Sequence, residues 1–194
     1  MTTDPNQPDS QSQPPEILSR ITKLTGHAFD VQQVRLRLPD GRERDYDLVD
    51  HADAVTILPV DDAGNAWFVT QFRVGSKSNL LELPAGVMDP GEEPLESARR
   101  ELREEIGMDC AELIHLGDFW MAAGYSNEFM HCFLALGLTP SPLAQDEDEF
   151  LSLSQIPLDQ VFAMVDSGDI KDGKTLSTLL FAREHLKKYF PKIT

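Results

Sequence analysis

Residues 84 to 108, PAGVMDPGEEPLESARRELREEIGM, constrain the fold more than any other stretch of the chain. They read as a glycine-bearing turn, a helix and a glycine stop. Pro94 suits the first helical turn, where its missing N–H has no partner to lose. Gly107 suits the left-handed position just past the helix end. Between them Leu95, Ala98, Leu102 and Ile106 recur at spacings of three and four, which makes an apolar stripe for a core. Glu101, Glu104 and Glu105 form a second, acidic stripe. Each like-charge pair on a solvated helix costs only about 0.2–0.5 kcal/mol. Repulsion on that scale does not demand a cation, so a solvated acidic face explains the helix equally well on its own.

The spacing of the whole stretch is more informative. Gly86 is followed after five residues by Glu92 and after seven more by Arg100-Glu101-Leu102. One residue on come Glu104-Glu105, and one further on Gly107. Even with Leu102 set aside, seven fixed identities at ordinary residue frequencies match by chance on the order of once in 10⁶ chains. This pattern resembles the Nudix box of the Nudix hydrolases at every fixed position. Met108 stands where the family usually has Ile, Leu or Val.

The resemblance implies an α/β (α+β) fold, a Nudix-type α/β/α sandwich around a mixed β-sheet. It implies that Glu101, Glu104 and Glu105, with the Ala85 carbonyl, hold Mg²⁺ or Mn²⁺. Carboxylate oxygens are hard donors that suit these ions. Glu104 and Glu105 are then catalytic, and Glu147 of the acidic stretch 145–149 is the outside candidate for a base, ahead of Glu149. Arg100 orients a box carboxylate, with Glu104 one turn on as its partner. Glu92 braces the loop, Gly86 lets the backbone approach closely, and Gly107 ends the helix.

Stretches outside the box resemble the ADP-ribose and nucleoside-diphosphate-sugar branch of the family. They are VTQFR ending at Arg73, LLELPAG, GYSNE with Glu128, and DGKTLSTLLFA. Arg73 and Glu128 are the implied substrate contacts, and the branch implies a homodimer built with its N-terminal strands. Ala123 stands where the branch usually carries Pro. The implied reaction is metal-dependent hydrolysis of ADP-ribose to AMP and ribose 5-phosphate. Its alternatives are hydrolysis of another nucleotide sugar by the same mechanism, or a domain that senses such a molecule without cleaving it.

The rest of the chain bounds these expectations. Its 194 residues suffice for one domain with a sizeable core. A net charge of −16 argues against a nucleic-acid groove and an anionic membrane surface. Carboxylate-bound cations would reverse that field locally. No apolar run is long enough to span a membrane, and the first residues are neither basic nor apolar. Two cysteines without a CxxC point to a reducing cytoplasm.

Residues 1–15 are polar and Pro-rich and read as a flexible tail. Residues 16–50 read as a short lead-in strand and a hairpin from Phe29 to Asp50, available for dimerisation, and 51–194 as the hydrolase domain. Strands are expected at 54–60, 66–73, 111–122, 128–138 and 150–156. Further helices are expected at 157–165 and 174–189. Residues 74–79 read as a loop, and 79–86 as a lead into the box. The five histidines are scattered and default to structural roles. Trp67 and Trp120 default to core or dimer contacts, and Cys132 to an inert buried thiol.

Overall fold

A computed structural model describes residues 13–144 and 150–191. The chain divides into two compact units, Met1–Ala52 with Ala122–Glu128, and Asp53–Met121 with Phe129–Thr194.

The first unit is an antiparallel sheet of β1 (Glu16–Thr25), β2 (Asp30–Arg37) and β3 (Glu43–Asp50), in that order. The lead-in strand is longer than its composition suggests, because β1 is anchored along its length by pairing with β2. Pro39-Asp40-Gly41 closes the expected hairpin. Gly41 takes the positive φ of 83° that such a turn needs. The 122–128 segment is stitched to β3, where the Val49 N–H donates to the Tyr125 carbonyl at 2.8 Å. Asn127 Nδ2 donates to Asp50 Oδ1 at 2.7 Å.

The second unit is built on β4 (Ala54–Val60), every residue of which is buried. The other strands are β5 (Asn65–Arg73), β6 (Ser78–Glu82), β7 (Ala85–Val87), β8 (Met108–Trp120), β9 (Phe129–Pro140) and β10 (Ser152–Pro157). The sheet runs β10-β5-β4-β9-β8, with β6 on β5 and β7 on β4. The β4–β9 pairing is parallel and the others antiparallel, so the sheet is mixed.

Its two faces carry different helices. Val55, Ile57, Phe133 and Ala135 pack on Ala98 and Leu102 of α1 (Pro94–Glu105) and on Ile106, which caps it. Leu58, Val60, Leu134 and Leu136 pack on α2 (Leu158–Ser167) and α3 (Gly173–Tyr189). Alternation along β4 and β9 makes these opposite faces, which is the expected α/β/α arrangement.

Three readings of the sequence need correction. Residues 78–87 are not a plain loop and lead-in but two short strands. β4 meets β5 only at Val60↔Ala66. β7 takes the edge of β4 at residues 54–56, and β6 extends β5. Such short segments become strands only because a split sheet offers them free edges. Leu95, assigned to the apolar stripe, is exposed, while Ser97 is buried. The acidic stripe is not a solvated face, because Glu101 and Glu105 are only 7% and 2% exposed.

Candidate active site

The split between β4 and β5 is where the box loop enters the sheet. Ile57 N–H donates to the Pro84 carbonyl and Met88 N–H to the Asp53 carbonyl, both at 2.9 Å. These bonds flank the Val55↔Gly86 pair and make it the hydrogen-bonded one. Ala85 therefore sits at the non-bonded position and turns its own N–H and C=O away from β4. Its N–H donates to Glu105 Oε2 at 3.0 Å. Strand β7 and helix α1 are thus joined through a carboxylate of the acidic stripe, with the Ala85 carbonyl on the same side of the ladder.

Gly86 is required by contact rather than by conformation. A Cβ on it would lie 1.9 Å from Glu101 Oε1, so the bare Cα is what lets this carboxylate lie on the loop. Gly107, at φ 70°, ends α1 in the left-handed region.

Arg100 is the hub of the acidic face. Its Nε and Nη2 donate to the two Glu92 oxygens at 3.0 and 2.9 Å. Its Nη1 donates to Glu101 Oε1 at 2.6 Å and Glu104 Oε2 at 2.9 Å. Nη2 also reaches the Val87 carbonyl at 3.1 Å. One guanidinium therefore fixes two box acids and the loop before them. Glu92 completes the brace by accepting from the Asp89 N–H at 3.0 Å.

The Arg100 hydrogen bonds, partly opposed by burial and reinforced by the Asp89 N–H, hold the Glu92 carboxyl at about 2, against an ordinary 4.5. A depressed folded-state pKa contributes stability above pH 4.5 that is lost as pH falls toward 2. We expect a loss of about 3 kcal/mol across that window from Glu92 alone. Acid titration of the metal-free protein, followed by circular dichroism against a Glu92→Gln variant, measures it. The variant should lose that part of the pH dependence.

Arg73 stands at the end of β5 with both Nε and Nη2 held by Glu82, at 2.9 and 2.8 Å. Those hydrogen bonds raise its pKa, and the nearby charges of Asp172 and Glu105 add to the effect. Glu82 is 1% exposed and also pairs with Lys174 Nζ. Lys174 reaches Asp172 Oδ2 at 3.1 Å. Asp172 caps α3 by accepting from the Thr175 N–H at 2.9 Å. Thr175 Oγ1 in turn accepts from the Leu83 N–H at 2.9 Å. The start of α3 thereby clamps the strand that leads into the box. The sequence reading missed Glu82 and Lys174. A Glu inside the apolar run LLELP was the available signal, since a buried acid needs a cationic partner.

Beside the acids lies an open recess of about 430 Å³, lined by Glu104, Glu105, Gly107, Pro142, Leu143 and Leu153. Its Pro142–Leu143 wall is tied to the end of α1, with Leu143 N–H on the Arg103 carbonyl at 3.0 Å. Glu147 and Glu149 lie outside the described residues. Glu128 belongs to the first unit, where its N–H donates to Ser126 Oγ at 3.1 Å.

The donor set fits a hard divalent cation. Glu92, Glu101 and Glu104 share the guanidinium of Arg100, and Glu105 accepts from the Ala85 N–H. The donors are oxygens, as such ions prefer. A NUDIX domain model matches residues 50–179. The chain belongs to the Nudix family.

Its Nudix relatives include an ADP-ribose pyrophosphatase of Bacillus subtilis, 34% identical over 78% of this chain and 83% of that one. A GDP-mannose pyrophosphatase of Yersinia enterocolitica is 32% identical over 88% of this chain and 93% of its own. Among solved structures, a crystal structure of an ADP compounds hydrolase superposes with a TM-score of 0.81. It is 31% identical and covers 92% of this chain and 97% of that one. Nudix hydrolases work with a divalent metal ion, and the box acids of this chain are all present.

Proposed function

We propose that this chain is a Mg²⁺-dependent pyrophosphatase that hydrolyses ADP-ribose to AMP and ribose 5-phosphate. The observation that carries the reading is the convergence of Glu101, Glu104, Glu105 and Ala85 at the split of the sheet. Arg73 stands beside them, close enough to feel the Glu105 charge. Relatives named for ADP-ribose and ADP compounds favour the substrate.

Glu101, Glu104, Glu105 and the Ala85 carbonyl would hold the ion. When bound, a divalent ion neutralises diphosphate oxygens and eases deprotonation of a water. The protein's own groups do the rest. Arg100 holds two carboxylates in place, so little reorganisation is left for the reaction. Glu82 spends two donors of Arg73 on fixing its plane, leaving Nη1 for an anionic substrate oxygen. We assign the proton-accepting role to Glu147 or to a box acid, Glu104 or Glu105. Glu128, of the GYSNE stretch, is a further proposed substrate contact.

A second reading keeps the mechanism and changes the substrate. The GDP-mannose relative covers nearly the whole chain at similar identity, so a nucleoside diphosphate sugar is the alternative. Turnover on ADP-ribose, GDP-mannose, other nucleotide sugars, dinucleotides and nucleoside triphosphates, coupled to phosphatase, separates the two. We expect ADP-ribose to lead and all turnover to vanish with EDTA. A lead for GDP-mannose would select the alternative. Tight binding without turnover would make the chain a sensor and overturn both.

We further propose that the protein is a homodimer. The first unit leaves Ile17, Ile21, Leu24 and Tyr46 exposed by 47–60%, more apolar surface than such a small sheet needs to show water. Sedimentation velocity should give twice the chain mass, and Ile21→Glu should shift it toward the monomer. Among the described residues no helix is long and apolar enough to cross a membrane. Cys110 and Cys132 are both free thiols. Burial pushes the Cys132 thiol up to about 11, which makes it a poor nucleophile. Free buried thiols and strong negative charge support a cytoplasmic enzyme of small molecules, without a nucleic-acid partner.

A further inference from the structure

His115 and Asp118 are three residues apart on β8. In a regular strand that spacing puts two side chains on opposite faces. β8 is not regular there. Its register with β9 passes from His115↔Phe133 to Gly117↔Cys132, so Leu116 is one residue too many, as in a β-bulge. Gly117 takes φ 155° at that point. The bulge returns His115 and Asp118 to one face, and Asp118 lies directly across from His131 on β9.

The result is a convergent cluster. Asp118 Oδ1 is 2.6 Å from His115 Nε2 and 2.8 Å from His131 Nδ1. One ligand atom from each residue lies within 4.8 Å of the other two. On its far side, His131 Nε2 is 3.9 Å from Asp53 Oδ2. The Phe129 ring meets His131 edge-on at 5.2 Å, and Phe133 lies 5.4 Å from His115, so both imidazoles are held by packing.

We propose that His115, Asp118 and His131 form a binding site for one divalent transition-metal ion of the Zn²⁺ class, separate from the box carboxylates. Two imidazoles and one carboxylate are the donors that Zn²⁺, Co²⁺ and Ni²⁺ prefer and that Mg²⁺ does not. Ligands about 2.1 Å from a shared ion stand roughly 3–3.5 Å apart. The two Asp118 contacts therefore lengthen by less than an ångström to admit one. His115, whose side chain is 50% exposed, has room for that rotation, while His131 at 16% is the anchored ligand. Asp53, 3.9 Å from His131 Nε2, stands where a small turn of the ring would make it the outer carboxylate that commonly orients a ligating imidazole.

The site does not merge with the box. β4 is paired with β9 along the whole length of β4, so β7, which carries Ala85 and Gly86, lies on the other edge of β4. A bound ion would pin β8 to β9 where the 121–128 loop leaves and returns. The same contacts without an ion form a proton-bonded His–Asp–His cluster. Burial pushes the Asp118 carboxyl up, and the two imidazoles more than offset it.

Equilibrium dialysis of the full chain against Zn²⁺ or Co²⁺, with excess Mg²⁺ occupying the box, separates these states. We expect one Mg²⁺-resistant ion per chain, with Co²⁺ giving the visible absorption of a nitrogen-containing site. His131→Ala and His115→Ala should each weaken binding by at least about 10- to 100-fold, and Asp53→Asn by about 10-fold. His185→Ala should leave it unchanged. Circular dichroism checks that the variants fold, and the milder His115→Gln provides a second test if His131→Ala does not. Absence of Mg²⁺-resistant binding in the folded wild type, or binding that survives both histidine substitutions, would overturn the site.

Discussion

Glu105→Gln should lower turnover by about 10²- to 10⁴-fold, the range a positioned acid or base contributes, without lowering the melting temperature of the metal-free protein. The two halves of this expectation have separate causes. Glu105 is 2% exposed and accepts the Ala85 N–H through Oε2 at 3.0 Å. The amide oxygen of Gln preserves that bond and its shape. What Gln removes is the charge of an acid next to Glu104, which Arg100 holds together with Glu92 and Glu101. The preserved bond to β7 is what should keep the metal-free fold. The lost charge weakens cation binding, so the extra stabilisation that Mg²⁺ confers through mass action should shrink. Glu104→Gln should follow the same course. Calorimetry with and without Mg²⁺, beside kcat on the preferred substrate, tests both. Near-wild-type turnover in both variants would remove these acids from the mechanism. A large fall in metal-free melting temperature would mean that the charge of Glu105 itself stabilises the fold.

Gly86→Ala should cost about 10²-fold or more in kcat, the scale of a 1 Å displacement of catalytic groups. The new Cβ would stand 1.9 Å from Glu101 Oε1 and 2.0 Å from Cδ. The carboxylate must then leave the loop, although it is also held by Arg100 Nη1 at 2.6 Å. Moving it disturbs the guanidinium that holds Glu104. Gly91→Ala is the matched control. Gly91 has a positive φ of 83° but nothing within 4 Å of a built Cβ. It should lose about 1–2 kcal/mol of stability from backbone strain and retain its kcat. Equal kcat losses in the two variants would mean that loop strain, not the Glu101 contact, is what matters. An active Gly86→Ala would show that Glu101 has room to lie elsewhere.

The box was legible because its signals are local. Pro94 and Gly107 act through their own backbones, and Ala98, Leu102 and Ile106 face one way on any α-helix. Helical spacing could not say which side of the acidic stripe is buried. Leu95 fits the apolar stripe by count yet stays exposed, while Glu101 and Glu105 turn inward toward β7. Similarly, SNLLE and AGV are too short to announce themselves as strands. They became β6 and β7 because β5 diverges from β4 and leaves ladder groups that must be paired.

Sequence alone determined the class of chemistry. Oxygen donors at fixed helical spacing, a glycine at the turn and the family pattern around them specify a Nudix hydrolase, because each feature is carried by residue type and short-range geometry. Tertiary structure alone decided who meets whom across long separations. Arg73 is fixed by Glu82, and Glu82 by Lys174, 92 residues on. His115, Asp118 and His131 share a face only because a bulge changes the register of β8. Neither arrangement has a periodic signature. Long-range pairing depends on how the sheet closes, and one extra residue in a strand exchanges its two faces.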